Sequence, residues 1–323
     1  MRQQVERKPG PAKSYAIGID LGGTHIKAVS VTPAGDVLER LQVNTNDSAV
    51  SWPKRIRHLV EELQSRRGEP ASWIGLVAPG IAAANGRSIR WMAGRLTGVE
   101  GLDWTEFLGV GRPVQVLNDG HAALLGEVWL GVAAGCRNVV LLTLGTGVGG
   151  ALLADGQLLR GHIGRAGHLG HLCLDPDGEL DNFGTPGSLQ QAIGECTLRD
   201  RSNGQFNSTR EMLESFRQGN PNAARVWLKS VRALASAIVS IVNAFDPEIV
   251  ILGGGIAGAG EMLFVPLGQT LDRIEWRPAG HRVKIVAAKL GPHAGSLGAA
   301  RCAMEAADRL DKDLSDNILK TKK

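Results

Sequence analysis

Aromatic residues make up only 4% of this 323-residue chain, and they do not alternate with its basic residues. Proteins that bind nucleic acid usually combine a basic stripe with aromatic side chains that stack on bases. The net charge is only +4; four basic residues precede the first predicted strand and three end the chain. The charge therefore predicts solvated tails and no nucleic-acid partner.

Cysteine is also scarce, and its spacing fits neither a metal motif nor a disulfide framework. The four residues are Cys136, Cys173, Cys196 and Cys302. The N-terminus is polar and shows no secretory signal. No apolar run is long enough to span a bilayer, because the longest helical candidate, residues 223–244, carries charged side chains. These absences predict a soluble, cytoplasmic protein without a membrane partner.

Glycine, by contrast, is abundant at 43 residues and clusters where predicted strands end. One theme occurs twice, starting near Ala16 and Val139: strand, glycine turn, strand, hairpin, then alternating helices and strands. The pattern predicts an α/β fold of two similar lobes with a ligand cleft between them. The expected division is a mobile tail, a small lobe, a large lobe and a C-terminal helix that returns to the small lobe. The corresponding ranges are 1–14, 15–119, 120–295 and about 296–310.

Two of the glycine turns join adjacent strands. The first is Asp20-Leu21-Gly22-Gly23-Thr24 and the second is Leu144-Gly145-Thr146-Gly147. Glycine lets backbone amides approach a phosphate closely, and an aspartate at a strand end can hold Mg²⁺ through water. A plain hairpin turn explains the first motif equally well on its own. A dinucleotide fold is disfavoured, because a strand and not a helix follows the second turn.

Two further motifs follow strands and precede helices. Gly254 and Gly255 could pack against a nucleotide, or could only allow a close contact between helix and strand. In Asn118-Asp119, the aspartate could accept the proton of a hydroxyl that attacks phosphorus. The other interpretation of Asp119 is a helix N-cap.

Taken together and in this order, the motifs resemble the ROK family of repressors, open reading frames and kinases. The segment Gly167-x-Leu169-Gly170-His171 completes the set, and the resemblance covers residues of about 15 to 305. It implies an actin-like, ribonuclease H-like fold and an ATP-dependent, Mg²⁺-dependent kinase of a sugar, similar to bacterial glucokinases. It also implies a homodimer.

The resemblance implies a role for each matched residue. Asp119 is expected to be the catalytic base. The expected substrate-binding residues are Pro79, Gly80, Asn118, His121, His168, His171 and Gln190. The expected ATP- and phosphate-binding residues are Asp20, Gly22, Gly23, Thr24, Lys27, Gly145, Thr146, Gly147, Gly254 and Gly255. Asp20 is also expected to hold Mg²⁺ through water.

The chain departs from the family pattern at the zinc motif, Cys-x-Cys-Gly-x-x-Gly-Cys-x-Glu. Its three cysteines correspond to Asp181, Phe183 and Ser188. Thiolates with a histidine would suit zinc, but these replacements would not. We therefore expect no structural zinc.

The predicted sugar pocket also differs from the family pattern. His168 and Gln190 stand where the family has glutamates, and His121 replaces an asparagine. One interpretation is a kinase with a changed substrate, such as an N-acylated, polyol or acidic sugar. The other is a catalytically inactive protein that binds sugar. The three histidines could form a metal site, although ordinary hydrogen bonding is favoured. A family repressor would need a helix-turn-helix before Tyr15, for which the preceding residues are too few.

Overall fold

In a computed structural model of the protein, the structure describes residues 14–46, 51–92, 94 and 96–320, with only the helical backbone for 313–320. The expected mobile tail lies outside the described residues except for Ser14. The chain divides into two compact units. Unit 1 comprises residues up to Ala122 together with those from Gly295 onward, and unit 2 is Ala123–Ala294. The lobe boundaries expected from the sequence, 15–119 and 120–295, stay predictions.

Unit 1 contains one five-stranded sheet and a small hairpin. Its strands are β1 (Ala16–Leu21), β2 (His25–Val31), β3 (Val37–Asn44), β4 (Trp73–Val77), β5 (Ile81–Ala82), β6 (Ile89–Trp91) and β7 (Gln115–Leu117). Its helices are α1 (Ser51–Arg67), α2 (Trp104–Leu108), the start of α3 (Asp119–Leu130) and nearly all of the last helix, described below. The sheet order is β3-β2-β1-β4-β7, and β5 pairs only with β6.

The central strand β1 is almost wholly apolar, as expected for a strand covered on both faces. It pairs antiparallel with β2 and parallel with β4. The buried face of α1 includes Trp52, Ile56 and Leu63, which recur at helical spacing. The ring of Trp52 lies 5.8 Å from that of the fully buried Trp104, and this contact anchors the core of unit 1.

A pair of glycines seats the last helix, α9 (Ala294–Lys320), against this sheet. Gly18 of β1 and Gly75 of β4 are direct neighbours across the two strands. A Cβ atom on Gly18 would overlap the carbonyl oxygen of Ser296, and one on Gly75 would overlap that of Ala299. Any larger side chain at either position would push the helix off the sheet.

Unit 2 repeats the strand arrangement of unit 1. Its strands are β8 (Val139–Leu144), β9 (Val148–Ala154), β10 (Gln157–Leu158), β11 (Ile249–Gly253) and β12 (Lys284–Ala287). Their order is β10-β9-β8-β11-β12, so each sheet has the order third, second, first, fourth, fifth. In each, the first three strands are antiparallel and the rest are parallel to the first. The predicted repeat of one theme is confirmed.

The helices of unit 2 form its core with that sheet. They are α4 (Leu189–Ile193), α5 (Leu198–Arg201), α6 (Thr209–Arg217), α7 (Pro221–Phe245) and α8 (Glu261–Ile274). In the described part of the chain, α7 is the one helix that is long and apolar enough to cross a membrane. Its buried residues, among them Trp227, Leu234 and Ile238, belong to the core of unit 2. That pattern is typical of the core helix of a globular protein.

Candidate active site

The Asn118-Asp119 pair lies where β7 ends and α3 begins. Asn118 is 6% exposed, and its Oδ1 accepts hydrogen bonds from the backbone N–H groups of Gly120 (2.8 Å) and His121 (3.4 Å). Asn118 is therefore the N-cap of α3. The cap was the second interpretation of Asp119 from the sequence, and the structure assigns it to Asn118 instead. The Asp119 side chain is exposed, and one of its oxygens accepts from the N–H of Gly120 at 2.8 Å.

Asn118 also connects this helix start to the Pro79-Gly80 loop, because its Nδ2 donates to the carbonyl oxygen of Gly80 at 2.8 Å. Gly80 has φ +100°, and a Cβ atom there would overlap the carbonyl oxygen of Trp91. His121, one turn into α3, is 2% exposed. A role for His121 in substrate binding therefore requires a buried contact, and it stays a prediction.

Asp20, at the end of β1, has a carboxylate that no group among the described residues hydrogen-bonds. Burial, opposed by Lys27 and reinforced by the charge of Asp119, raises its pKa to about 6. Lys27 lies directly across the strand pair from it. Gly295, at the start of α9, leaves room for this carboxylate. A buried acid without a donor fits a bound cation such as Mg²⁺, which prefers carboxylate oxygens.

The first glycine turn joins β1 to β2. Its Gly22 N–H donates to the carbonyl of His25 at 3.0 Å, and Thr45 Oγ1 donates to the Gly22 carbonyl at 2.6 Å. These bonds hold the turn from both sides. The N–H groups of Gly23 and Thr24 donate to no acceptor among the described residues. Two adjacent amides of this kind can bind a phosphate oxygen.

The second turn, between β8 and β9, has the same construction. The carbonyls of Gly145 and Thr146 accept from the N–H groups of Glu195 (3.0 Å) and Cys196 (2.9 Å). Thr146 is exposed, and the N–H groups of Thr146 and Gly147 find no acceptor within the described part of the chain. Each unit therefore has a hairpin turn whose carbonyl oxygens accept hydrogen bonds from the rest of the unit. The two backbone N–H groups that follow the first glycine of the turn can bind an anion.

Gly254 and Gly255 lie immediately after β11. Gly254 has φ +85°, and a Cβ atom there would overlap the carbonyl oxygen of Leu144, so it packs directly against the start of the second turn. Gly255 faces open space. It lines a cavity of about 630 Å³ in unit 2 together with Gly145, Gly258 and α6 residues that include Arg210. Arg210 could not be predicted as a site residue from the sequence, because one basic residue on an amphipathic helix is ordinary.

The Gly167–His171 segment forms a short turn of 3-10 helix at Leu169–His171. The Nδ1 of His168 donates to the carbonyl oxygen of Arg165 at 3.0 Å. The Nδ1 of His171 lies 2.7 Å from Oδ2 of Asp181, whose side chain is fully buried. The Phe183 ring packs edge-on against the His171 ring, with centroids 4.9 Å apart.

Asp181 and Ser188, which stand where the family has cysteines, are both used in hydrogen bonds within the loop. Oδ1 of Asp181 accepts from the N–H groups of Phe183 (2.9 Å) and Thr185 (3.0 Å). Burial raises the pKa of Asp181, but the hydrogen bonds it accepts, first that of His171, outweigh burial and lower the pKa to about 2. Ser188 caps α4 by accepting from the N–H of Gln191. Among the described residues, no three His, Cys, Asp or Glu side chains are grouped as a metal site.

Gln190 is 6% exposed, and both ends of its amide are engaged within the protein. Its Oε1 accepts from the N–H of Val148 at 3.2 Å, beside Gly147 of the second turn. Its Nε2 donates to Oδ1 of Asn182 at 3.1 Å. Gln190 thus links the second turn to the Asp181 loop, and its expected contact with substrate stays a prediction.

The ROK family model matches residues 16–306, which is nearly the whole chain. The chain belongs to the ROK family. Among its relatives, the glucokinase of Thermotoga maritima is 33% identical over 311 residues, which cover 89% of this chain and 96% of that protein. Family membership and the actin-like α/β fold expected from the sequence are both confirmed.

Solved ROK structures are similar over almost all of the chain. The ROK hexokinase of Thermus thermophilus matches with a TM-score of 0.80 and 32% identity, over 91% of this chain and 99% of that one. A ROK glucokinase of Streptomyces griseus, solved with glucose and AMPPNP, matches with a TM-score of 0.74 and 28% identity. That match covers 90% of this chain and all of the other.

Proposed function

We propose that this ROK protein is an ATP-dependent kinase that phosphorylates a hydroxyl of a sugar or sugar-like substrate. The observation that carries the proposal is the exposed carboxylate of Asp119, fixed at the start of α3 beside the capping residue Asn118. An exposed, anchored carboxylate can take a proton from a bound hydroxyl. The relatives and neighbours with glucokinase and hexokinase activity in their names support the same chemistry.

In the proposed mechanism, the hydroxyl oxygen of the sugar attacks phosphorus. Asp119 accepts the proton that this hydroxyl loses. Backbone N–H groups of Gly23, Thr24, Thr146 and Gly147 stabilise phosphate charge. ATP with Mg²⁺ supplies the phosphoryl group when it is bound. Asp20 would hold the metal through water, and Lys27 would offset the remaining charge.

The nucleotide is proposed to occupy the cavity of unit 2 that Gly145, Gly255 and Arg210 line. Its volume, about 630 Å³, falls in the range of small-molecule sites. Gly254 contributes indirectly, because its close packing on Leu144 fixes the backbone beside Gly255. The substrate roles of Pro79, Gly80, Asn118, His168 and His171 belong to the same proposal.

The proposal is tested by measuring ADP release from ATP and Mg²⁺ with a panel of hexoses, N-acetylhexosamines, polyols and sugar acids. We expect turnover with at least one sugar, and a kcat lower by roughly 10²–10⁴-fold in Asp119→Ala, the usual contribution of a general base. Asp308→Asn, an exposed acid on α9, serves as the matched control and should retain full activity. Transfer to no sugar, or equal activity in Asp119→Ala, would refute the mechanism.

A catalytically inactive sugar-binding protein is the competing function, motivated by His168 and Gln190 in place of glutamates. Calorimetry that detects sugar binding but no ATP binding would favour it. We further propose a cytoplasmic homodimer with no nucleic-acid or membrane partner. Sedimentation equilibrium of the purified chain tests the dimer, and a monomer at micromolar concentration would contradict it.

A further inference from the structure

Arg201, the last residue of α5, has a partly buried guanidinium whose hydrogen-bond acceptors are all uncharged. Its Nε donates to Oγ1 of Thr197 (3.1 Å), its Nη1 to Oγ of Ser230 (2.6 Å) and its Nη2 to the carbonyl oxygen of Gly194 (2.7 Å). No carboxylate in the described part of the chain forms an ion pair with it. Burial lowers the pKa of Arg201 to about 10, which still leaves the side chain positively charged at neutral pH.

The segment that Arg201 holds also supports the second glycine turn. Gly194, whose carbonyl accepts from Arg201, is followed by the two residues whose N–H groups donate to the carbonyls of Gly145 and Thr146. A Cβ atom on Gly194 would lie 3.3 Å from the Thr146 carbonyl oxygen, so the segment packs directly against the turn. A positive charge without a counter-ion therefore lies next to the turn whose N–H groups, at Thr146 and Gly147, can bind an anion.

The partners of Arg201 keep other hydrogen bonds, so what the arginine alone supplies is its charge. Oγ of Ser230 also donates to the carbonyl of Val226 at 3.1 Å, and the Gly194 carbonyl also accepts from Oγ1 of Thr197 at 3.0 Å. A charge partly removed from water without a counter-ion lowers stability. It also acts over a longer range than a surface charge, because water screens it less. An anion bound at the turn is the counter-ion that fits.

We propose that Arg201 is a positioning residue for the phosphoryl donor, which raises the affinity of the second turn for a phosphate chain without touching it. Its charge attracts the chain, and its bond to Gly194 holds the segment that supports the turn. The ligand class is a linear phosphate chain, either of a nucleotide or of an inorganic tripolyphosphate. The proposal rests on the proposed kinase function for the role of that ligand, but binding can be measured without turnover.

The test is calorimetry of the full chain with AMP, ADP, ATP and inorganic tripolyphosphate, in Mg²⁺ and without sugar. Arg201→Gln removes the charge and keeps a hydrogen-bond donor, whereas Arg201→Lys keeps the charge and loses the planar set of donors. We expect Arg201→Gln to bind ATP and tripolyphosphate about 10- to 100-fold more weakly than the wild type, with a smaller loss for AMP. Arg201→Lys should stay within about fivefold of the wild type for each ligand.

Two controls separate the charge from the hydrogen bonds. Arg199→Gln removes the same charge from an exposed site on α5 and should bind all four ligands like the wild type. Ser230→Ala removes one hydrogen bond of Arg201 but not its charge, and should lose no more affinity than Arg201→Lys. The thermal midpoint without ligand checks the folding of each variant. If Arg201→Gln does not fold, Arg201→Met, a neutral and apolar replacement, takes its place.

Unchanged affinity for ATP and tripolyphosphate in a folded neutral variant would overturn the proposal. Equal losses in Arg201→Lys and Arg201→Gln would also overturn it, because a merely structural role depends on the hydrogen bonds and not on the charge. A wild type that binds neither ligand would do the same. With the best sugar of the panel, the KM for ATP should rise in Arg201→Gln while the KM for sugar stays unchanged. Binding of ATP that depends on Arg201, without phosphorylation of any sugar, would count against the proposed function alone.

Discussion

The side chain of Asn118 joins the start of α3 to Gly80 by donating from Nδ2 to the Gly80 carbonyl oxygen at 2.8 Å. Its Oδ1 caps the same helix through the N–H of Gly120. One amide group therefore fixes two segments that are proposed to meet the substrate. The same group also sets the position of Asp119, the next residue in the chain.

Replacing Asn118 with alanine should weaken both the fold and the reaction. The cap is worth about 0.5–2 kcal/mol, and the hydrogen bond to the half-buried Gly80 carbonyl contributes about 0.5–1.5 kcal/mol. We expect Asn118→Ala to lower the free energy of unfolding by about 1–3.5 kcal/mol and to raise the KM for sugar, measured by urea denaturation and steady-state kinetics. Asn207→Ala, at an exposed asparagine, should change stability by no more than about 0.5 kcal/mol. A similar small effect in Asn118→Ala would contradict the assigned hydrogen bonds.

Asp20 should make the ligand-free protein less stable as the pH rises from about 4 to 6. Its pKa is raised from 3.8 to about 6 in the folded chain, so the folded state binds more protons than the unfolded state in this window. Stability is then lost with rising pH, by up to about 3 kcal/mol. Asp20→Asn removes this charge, so we expect it to be more stable than the wild type at pH 7.5 and equally stable near pH 4.

Urea denaturation at both pH values, without nucleotide, measures this difference. Asp308→Asn, again at an exposed acid of α9, should match the stability of the wild type at both pH values. The same Asp20→Asn variant should lose most of its turnover with ATP and Mg²⁺, because its amide binds the cation poorly. A stabilised variant with full activity would count against Asp20 as the metal-binding residue.

Zinc should not be needed for folding or activity. Asp181 and Ser188 are hydrogen-bonded to the loop itself, and backbone bonds such as Leu174 N–H to the Gly187 carbonyl (3.0 Å) close that loop. We expect elemental analysis to find well below one zinc per chain. Treatment with 1,10-phenanthroline in excess Mg²⁺ should leave the thermal midpoint and kcat unchanged. One tightly bound zinc per chain, with loss of activity on its removal, would show that other residues hold a metal.

The two glycines after β11 should respond differently to the same substitution. Gly254→Ala places a Cβ atom at φ +85° and against the Leu144 carbonyl, so we expect a loss of at least about 2 kcal/mol of stability. Gly255→Ala meets no atom within 4 Å and has an ordinary helical φ of −63°, so stability should hold. The KM for ATP should rise in Gly255→Ala if the cavity binds the nucleotide. Thermal unfolding and kinetics of both variants check this pair.

Local signals made much of the fold predictable. The hairpins around Gly22 and Gly145 combine apolar strands with glycine turns, and the structure places strands on both sides of each turn. The β5–β6 hairpin was missed, because strands of two and three residues carry little periodicity. The glycine pair in β1 and β4 gave no sign of its role, since only the packed structure shows that α9 lies over it.

The candidate site was predictable as a set of residues but not as a set of contacts. Asp119 was proposed from its place between a strand and a helix, with a helix N-cap as its other interpretation, whereas the structure gives the cap to Asn118. Asp181 was noticed only as a lost cysteine. Its bond to His171 spans ten residues of irregular loop, and no periodic pattern encodes such a contact. The two hydrogen bonds of the Gln190 side chain, to Val148 and Asn182, could not be predicted for the same reason.

The glycine pair under α9 also has a consequence for the order of folding during synthesis. The strands β1 and β4 are synthesised before unit 2, and α9, the helix that covers them, is synthesised after it. Until then, the groove along Gly18 and Gly75 has nothing to fill it. Unit 1 can therefore be completed only after unit 2 has been synthesised, although most of unit 1 precedes unit 2 in the chain.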